Sequence, residues 1–165
     1  MNALFIGRFQ PFHKGHLEIV KKISKEYDEI IIGIGSSQYK NTEDNPFSAD
    51  ERKRMIESVL NTEKISNYKV YKISDIHNPP KWVDHVDSIV SDYDIVVTNS
   101  DFNKKLFLEK GYKVVETPMY KRDCFSGKEI RKRVRNNEDW TDLVPDNVVD
   151  IIKEIDGIDR IKKYV

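Results

Sequence analysis

The sequence predicts an α/β domain, a doubly wound, Rossmann-like parallel sheet of about five strands with helices on both faces. Three observations lead there. Short apolar runs alternate with amphipathic stretches of helical length along the whole chain, the pattern of β-α-β units with right-handed crossovers. The run Glu29–Ile34 is mostly isoleucine, as in a strand covered on both faces. The 165 residues suit one domain, with a folded surface of about 8,500 Å² and about 70% of the unfolded surface buried. A single domain over residues 1–165 is expected, with a small helical part from about residue 126.

Each element has a local reason. Asn2–Ile6 is short and apolar and meets Gly7, a strand ending in a loop. Lys14–Tyr27 sets Leu17, Val20, Ile23 and Tyr27 at helical spacing. Glu29–Ile34 is the second strand, closed by Gly35 and Ser36, and a polar loop runs on to Phe47. Ser48 with Glu51 three residues later forms a capping box opening a helix to about Leu60. Tyr68–Ile73 alternates as a third strand, and Trp82–Val90 is a helix after the Pro79-Pro80 stop. Asp94–Thr98 is the fourth strand, Phe102–Lys110 a helix ended by Gly111, and Tyr112–Glu116 the fifth strand. Ser126 with Glu129 makes a second capping box, starting a helix through Arg135. Pro145–Ile155 is a last helix with proline in its first turn. Ligands of such sheets bind at the carboxyl ends of the strands.

Composition excludes several function classes. With 28 basic and 28 acidic side chains the formal net charge is zero, unlike the strongly basic balance of a nucleic-acid binder. Aromatics at 10% and clear apolar runs argue against a disordered chain. Those runs fall far short of the roughly 20 residues that span a bilayer, and no signal peptide is visible behind Met1. The lone Cys124 fits a reducing cytoplasm. The neutral sum hides segregation: residues 121–135 carry +5, residues 136–165 carry −4 and residues 1–120 carry −1.

The sharpest signal is Gly7-Arg8-Phe9-Gln10-Pro11-Phe12-His13-Lys14-Gly15-His16, between the first strand and the first helix. On a helix His13 and His16 lie about 60° apart, on one face, in a first turn whose free N–H groups and dipole favour an anion. Gly15 leaves room for a ligand to approach the backbone, and Arg8 adds a forked donor for phosphate. The arrangement reads as a polyphosphate cradle, without the endings of a Walker loop or the three-glycine dinucleotide fingerprint. Taken alone, the two histidines also fit capping and surface residues, or a metal pair for which no third ligand stands out. Further on, Ser126 opens a helix, Gly127 lets its backbone lie close to a ligand, and Arg131 follows a little over one turn later. An ordinary solvated basic helix would look the same. Both motifs at the strand ends of one small α/β domain favour phosphate chemistry.

The first motif resembles the signature of the nucleotidylyltransferase superfamily, whose His-x-Gly-His core matches His13-Lys14-Gly15-His16. The likeness to the archaeal type of nicotinamide-nucleotide (NMN) adenylyltransferases runs through most of the chain. It takes in Gly33-Ile34-Gly35-Ser36-Ser37-Gln38, Pro46-Phe47, Trp82-Val83, Tyr120–Arg133, Leu143-Val144-Pro145 and the Ile155–Ile161 end. Phe125-Ser126-Gly127-Lys128-Glu129-Ile130-Arg131 matches the family's second signature. The resemblance implies adenylyl transfer from ATP to NMN, giving NAD and pyrophosphate by direct attack. His16, His13 and Arg131 would be catalytic, and Gly7, Arg8, Phe9, Gly15, Ser126, Gly127 and Ile130 would complete the ATP site. Trp82 would lie against the nicotinamide ring, with Ser36, Ser37 and Gln38 beside the acceptor. Trp82 at a helix start is equally a core tryptophan, and Trp140 is expected to be structural. A Mg²⁺ bridging the phosphates would reduce repulsion and need few protein ligands. No nucleic-acid or membrane partner is expected, and the resemblance suggests a homo-oligomer, possibly a hexamer.

Three positions depart from the family pattern: Asp44 where arginine is common, Pro79 where asparagine is common, and Thr98-Asn99-Ser100 in place of Ser-Gly-Asn. Each falls near the expected acceptor or adenine pocket. Other acceptors, such as phosphopantetheine or a flavin mononucleotide, and a nucleotide-binding regulator without turnover therefore stand as alternatives. Lys132, Arg133 and Arg135 read as surface or subunit-contact residues, and His77 and His85 as surface or packing histidines.

Overall fold

Five strands, β1 (Asn2–Gly7), β2 (Glu29–Ile34), β3 (Tyr68–Lys72), β4 (Ile95–Val97) and β5 (Lys113–Val115), form one sheet in the order β3-β2-β1-β4-β5. Every neighbouring pair is parallel; Leu4 of β1 stands between Ile31 of β2 and Val96 of β4. The computed structural model describes residues 1–117 and 125–164. Tyr120, Lys121, Arg122 and Cys124 lie outside the described residues.

Seven α-helices are described: α1 (Lys14–Glu26), α2 (Ala49–Thr62), α3 (Trp82–Ile89), α4 (Asp101–Glu109), α5 (Gly127–Arg135), α6 (Asp146–Glu154) and α7 (Gly157–Lys163). Strand side chains alternate between faces, which sorts the helices. Ala3, Phe5, Ile30, Ile32, Ile34, Ile95 and Val97 face the larger core, closed by Leu17, Val20 and Ile23 of α1, by α2 and by α5 to α7. Leu4, Ile31 and Val96 face a smaller core completed by Val83 and Val86 of α3 and Phe107 of α4. Helices thus cover both faces, as expected, and the accessible surface is 8536 Å². Among the described residues no helix is long and apolar enough to cross a membrane.

Three details differ from expectation. Pro145 is the N-cap of α6, one position before its first turn. Glu129 does not close a capping box: Ser126 Oγ accepts from the Glu129 N–H at 3.1 Å, but the Glu129 carboxylate takes Arg133 Nε at 3.2 Å. A cationic partner one turn on outcompetes a backbone amide. Helix α7 was not anticipated, because it is short and has no side-chain cap. It is held through its own Arg160, which donates to Glu51 at 2.6 and 2.9 Å and to the Pro46 carbonyl at 2.6 Å.

Candidate active site

The direction of chain progression reverses between β1 and β4, so the loops leaving their carboxyl ends diverge and open a crevice. Three side-chain amides stitch this edge together, each pairing with one backbone residue as an added strand rung would. Gln10 donates to the Phe47 carbonyl at 2.9 Å and accepts the Phe47 N–H at 3.0 Å. Gln38 makes the same pair with Asp75, 2.9 Å in both directions, and Asn99 does so with Thr117, again at 2.9 Å. The loops after β1, β2 and β4 are thereby tied to their neighbours. Replacing Gln10, which is 3% exposed, with alanine orphans two buried backbone groups at about 1–3 kcal/mol each. The expected result is a lower urea midpoint together with a raised KM for ATP, because the same loop holds the cationic side of the crevice.

His13 is the N-cap of α1 and His16 its third residue. The two side chains lie side by side, as their spacing predicts, and cap one another reciprocally. The His16 N–H donates to His13 Nδ1 at 3.3 Å, and the His13 N–H donates to His16 Nδ1 at 3.2 Å. An imidazole nitrogen that accepts a hydrogen bond carries no proton, so each neutral ring has its N–H at Nε2. The rings stack with centroids 3.6 Å apart, inside a collar where Phe12 lies 5.5 Å and Phe9 4.8 Å from the His16 ring. Burial in this apolar collar lowers His13 to about 3. His16 is held well below its ordinary value by burial first and by His13 second. Both rings are neutral at physiological pH and offer fixed donors.

This has a stability consequence with a definite sign. Between the folded value near 3 and the ordinary value of 6.5, the unfolded chain binds more protons than the folded one. Stability therefore drops as pH falls below about 6.5, by up to about 1.4 kcal/mol per pH unit for His13 alone, and levels off below its folded value. Urea titrations from pH 7 to pH 4 check this; replacing His13 with asparagine, which can still cap, should flatten the slope.

The second motif supplies the cations. Arg131 is 3% exposed, and its Nη1 donates to the Gln10 carbonyl at 2.8 Å, joining α5 to the loop after β1. Its Nε–H is buried without a hydrogen-bond partner among the described residues. The carboxylate of the exposed Asp44 stands 3.8 Å from Nη2. Burial, with Arg8 next, lowers the guanidinium to about 10, so it stays charged. Ser126 caps α5 with its oxygen, leaving its hydroxyl proton free to donate. Gly127 is obligatory here, since a Cβ would lie 2.8 Å from Arg131 Nη1 and 2.9 Å from the Gln10 carbonyl oxygen. Arg8 is exposed on the same loop.

Beneath these lies Arg52 of α2, fully buried. Its five donor contacts reach the carbonyls of Arg8 and Gly35 at 2.8 Å, of Ser48 and Ser36 at 3.2 Å, and of Tyr39 at 3.4 Å. One guanidinium thus binds the loops after β1 and β2 to the start of α2.

Between the loop after β3 and the first turns of α3 and α4, a cavity of about 330 Å³ is lined by Asp75, Ile76, His77, Asn78, Pro79, Trp82 and Phe102. That is within the size range of small-molecule sites. Trp82 is 8% exposed and belongs to the smaller core, yet lines the cavity too; its indole N–H donates to Asn103 Oδ1 at 2.9 Å. Ser36 and Gln38 do not present free side chains. Ser36 Oγ donates to Asp75 Oδ2 at 2.6 Å, and Gln38 is the amide that clips Asp75.

Residues 4–133 match the cytidylyltransferase-like family. A nicotinamide-nucleotide adenylyltransferase of Thermoplasma acidophilum is 50% identical over 161 residues, covering 98% of this chain and 90% of the relative. The enzyme of the same name from Methanococcus aeolicus is 50% identical over 163 residues, covering 99% and 94%. The chain belongs to the nicotinamide-nucleotide adenylyltransferases. The structure of a bifunctional NMN adenylyltransferase/ADP-ribose pyrophosphatase from Francisella tularensis, complexed with AMP and a Mn ion, superposes with a TM-score of 0.80. It is 26% identical over 98% of this chain, which spans 52% of that longer protein.

Within this adenylyltransferase several of the expected site residues also have partners in the protein itself. Gly15 is required by packing: a Cβ there would sit 2.9 Å from Phe125 Cβ and 3.0 Å from the His13 ring, so its space is filled from within. Phe9, at φ 54° and 1% exposed, and Ile130, fully buried with its N–H on the Ser126 carbonyl at 3.1 Å, turn their side chains into the core. Gly7 is tied to the end of β2, its carbonyl accepting the Gly35 N–H at 2.8 Å. The Ser37 N–H goes to the Ile73 carbonyl at 3.1 Å. Trp140 packs in the larger core. Arg135 reaches the carbonyls of Glu43 and Ile161 at 3.1 and 3.4 Å, and Arg133 takes Glu129, while Lys132 is exposed.

Sequence reasoning missed Gln10, Arg52 and Asp75. Arg52 left a trace: with Ala49, Ile56 and Val59 it occupies the apolar stripe of α2, where a cation must be paired or functional. Gln10 stands inside the first motif, but its amide's partner, Phe47, lies 37 residues away, and Asp75's partners Gln38 and Ser36 lie 37 and 39 residues away.

Proposed function

We propose that the enzyme transfers the adenylyl group of ATP to nicotinamide mononucleotide in the crevice between the β1 and β4 loops. The observation that carries this reading is the joining, through Gln10, of two fixed imidazole donors to a buried guanidinium with a spare N–H. A phosphate oxygen of the mononucleotide attacks the α-phosphorus of ATP. The new P–O bond links the two nucleotides as the bond to the β-phosphate's bridging oxygen breaks, and pyrophosphate leaves with that electron pair. The attacking phosphate has a second pKa of about 6 and is largely ionised near neutral pH, so no base is needed. His16 donates through Nε2–H to the α-phosphate; His13 and Arg8 meet the triphosphate; Arg131 and Ser126 hold the outer phosphates. These donors align two anions that repel one another and stabilise charge as it moves to the leaving oxygen. Trp82 receives the nicotinamide ring in the cavity beside the loop after β3, where a cationic pyridinium over indole gains about 0.5–2 kcal/mol.

Among the described residues no three His, Cys, Asp or Glu side chains gather as a metal site. Mg²⁺ fits this cationic crevice as an ion carried by the nucleotide phosphates, where it neutralises charge. The test is an NAD-formation assay with ATP, Mg²⁺ and nicotinamide mononucleotide. Formation of NAD with equimolar pyrophosphate is expected. Pyrophosphate released only with phosphopantetheine or flavin mononucleotide, or ATP bound without any product, overturns the reading.

A further inference from the structure

The cavity beside the loop after β3 has one carboxylate in its described lining, Asp75, and no lysine or arginine. That carboxylate is built in place. Its Oδ2 accepts the Ser36 hydroxyl at 2.6 Å, and its own backbone N–H and C=O are both held by Gln38 at 2.9 Å. Ser36 is itself anchored, its backbone at φ 49° and its carbonyl on Arg52 at 3.2 Å. With its backbone held at two points and its carboxylate at a third, Asp75 is restrained from swinging away from a like charge. We infer that Asp75 sets which pyridine nucleotide is accepted, favouring a ring that bears a carboxamide over the same ring bearing a carboxylate.

The inference rests on the acceptor reading above and adds the residue and the rule. Both candidate acceptors carry the same ribose phosphate and the same cationic ring, so Trp82 treats them alike. They differ at one substituent. A carboxamide presents two N–H donors that a carboxylate oxygen can accept, whereas an ionised carboxylate presents acceptors only. Asp75 therefore supplies an attraction for one and a repulsion for the other, the pairing that specificity requires. Arg52 is close enough to interact with Asp75, but its donors face backbone carbonyls and it does not line the cavity, so it attenuates the repulsion without reversing it. Like charges a few ångströms apart in a partly screened site are expected to separate the two acceptors by about tenfold to a hundredfold in kcat/KM.

The experiment compares kcat/KM for nicotinamide mononucleotide and nicotinic acid mononucleotide, at saturating ATP, in the wild type and in Asp75→Asn and Asp75→Glu. Wild type is expected to prefer the amide acceptor. Asp75→Asn should lose at least about tenfold of that preference, mainly by gaining rate with the acid acceptor, while KM for ATP stays put. Asp75→Glu, which retains the charge, should keep the preference. A wild type that prefers the acid form overturns the inference without any variant. So does an unchanged ratio in Asp75→Asn, or an equal loss in both variants, which would assign the effect to shape. If the wild type forms no dinucleotide from either acceptor, it is the adenylyl-transfer reading that fails.

Discussion

Replacing His16 with alanine is expected to lower kcat by about 10²–10³-fold, the usual result of removing one preorganised donor from developing charge, while ATP affinity is kept. The structure explains why one ring can matter so much. His16 Nδ1 is occupied by the His13 N–H, which fixes the tautomer and the ring plane and leaves Nε2–H as a donor of single direction. Phe9, Phe12 and the stacked His13 ring hold that plane from three sides. The donor is neutral, so it does not grip the ground-state phosphates as a cation would. Its contribution grows when negative charge accumulates in the transition state, which moves kcat more than binding. The alanine variant also loses a helix cap, at about 1 kcal/mol. Turnover, ATP titration and a urea melt on the same sample separate these effects. Unchanged turnover would remove His16 from the chemistry.

Arg131→Lys keeps the charge and should still reduce kcat/KM for ATP by about 10²-fold, since hydrogen bonds to charged groups contribute about 1.5–3 kcal/mol. A guanidinium can hold the Gln10 carbonyl through Nη1 and keep Nε–H and Nη2 for phosphate oxygens, with all donors in one plane. A lysine ammonium is one point at the end of a flexible stem. It either keeps the contact to Gln10 and misses the phosphates, or reaches the phosphates and leaves a buried carbonyl unpaired. Steady-state kinetics with ATP varied would show the loss mainly in KM. Wild-type kinetics in the lysine variant would show that charge alone, without the fork, is sufficient.

The fold was largely legible from one-dimensional signals because its elements are locally consistent. The isoleucine run of β2 lies buried on both faces, Ser48 and Glu51 close their capping box in both directions, and Gly111 adopts the left-handed φ of 87° that stops α4. Strand ends shifted by a residue or two: Asp94 and Thr98 flank β4 and do not belong to it. Helix α7 was illegible because nothing local starts it; Arg160 and Glu51 stabilise it across 109 residues.

For the site, the sequence by itself determined which chemistry is present: a His-x-Gly-His turn, a Ser-Gly helix start with Arg131, and a tryptophan beyond the third strand. Those are contiguous motifs, and contiguous spacing is what a sequence displays. Only the tertiary structure decided how they act. That two neighbouring histidines also cap one another depends on where α1 begins, and Phe125 and the collar around His16 determine that they are neutral donors. Whether Gly15 and Gly127 make room for a ligand or for protein depends on partners far along the chain. Arg52, Gln10 and Asp75 become positioning groups because parallel crossovers bring the ends of β1, β2 and β3 to one edge. A side chain's hydrogen-bond partner and its dielectric surroundings are properties of that edge, and no local pattern of residues encodes them.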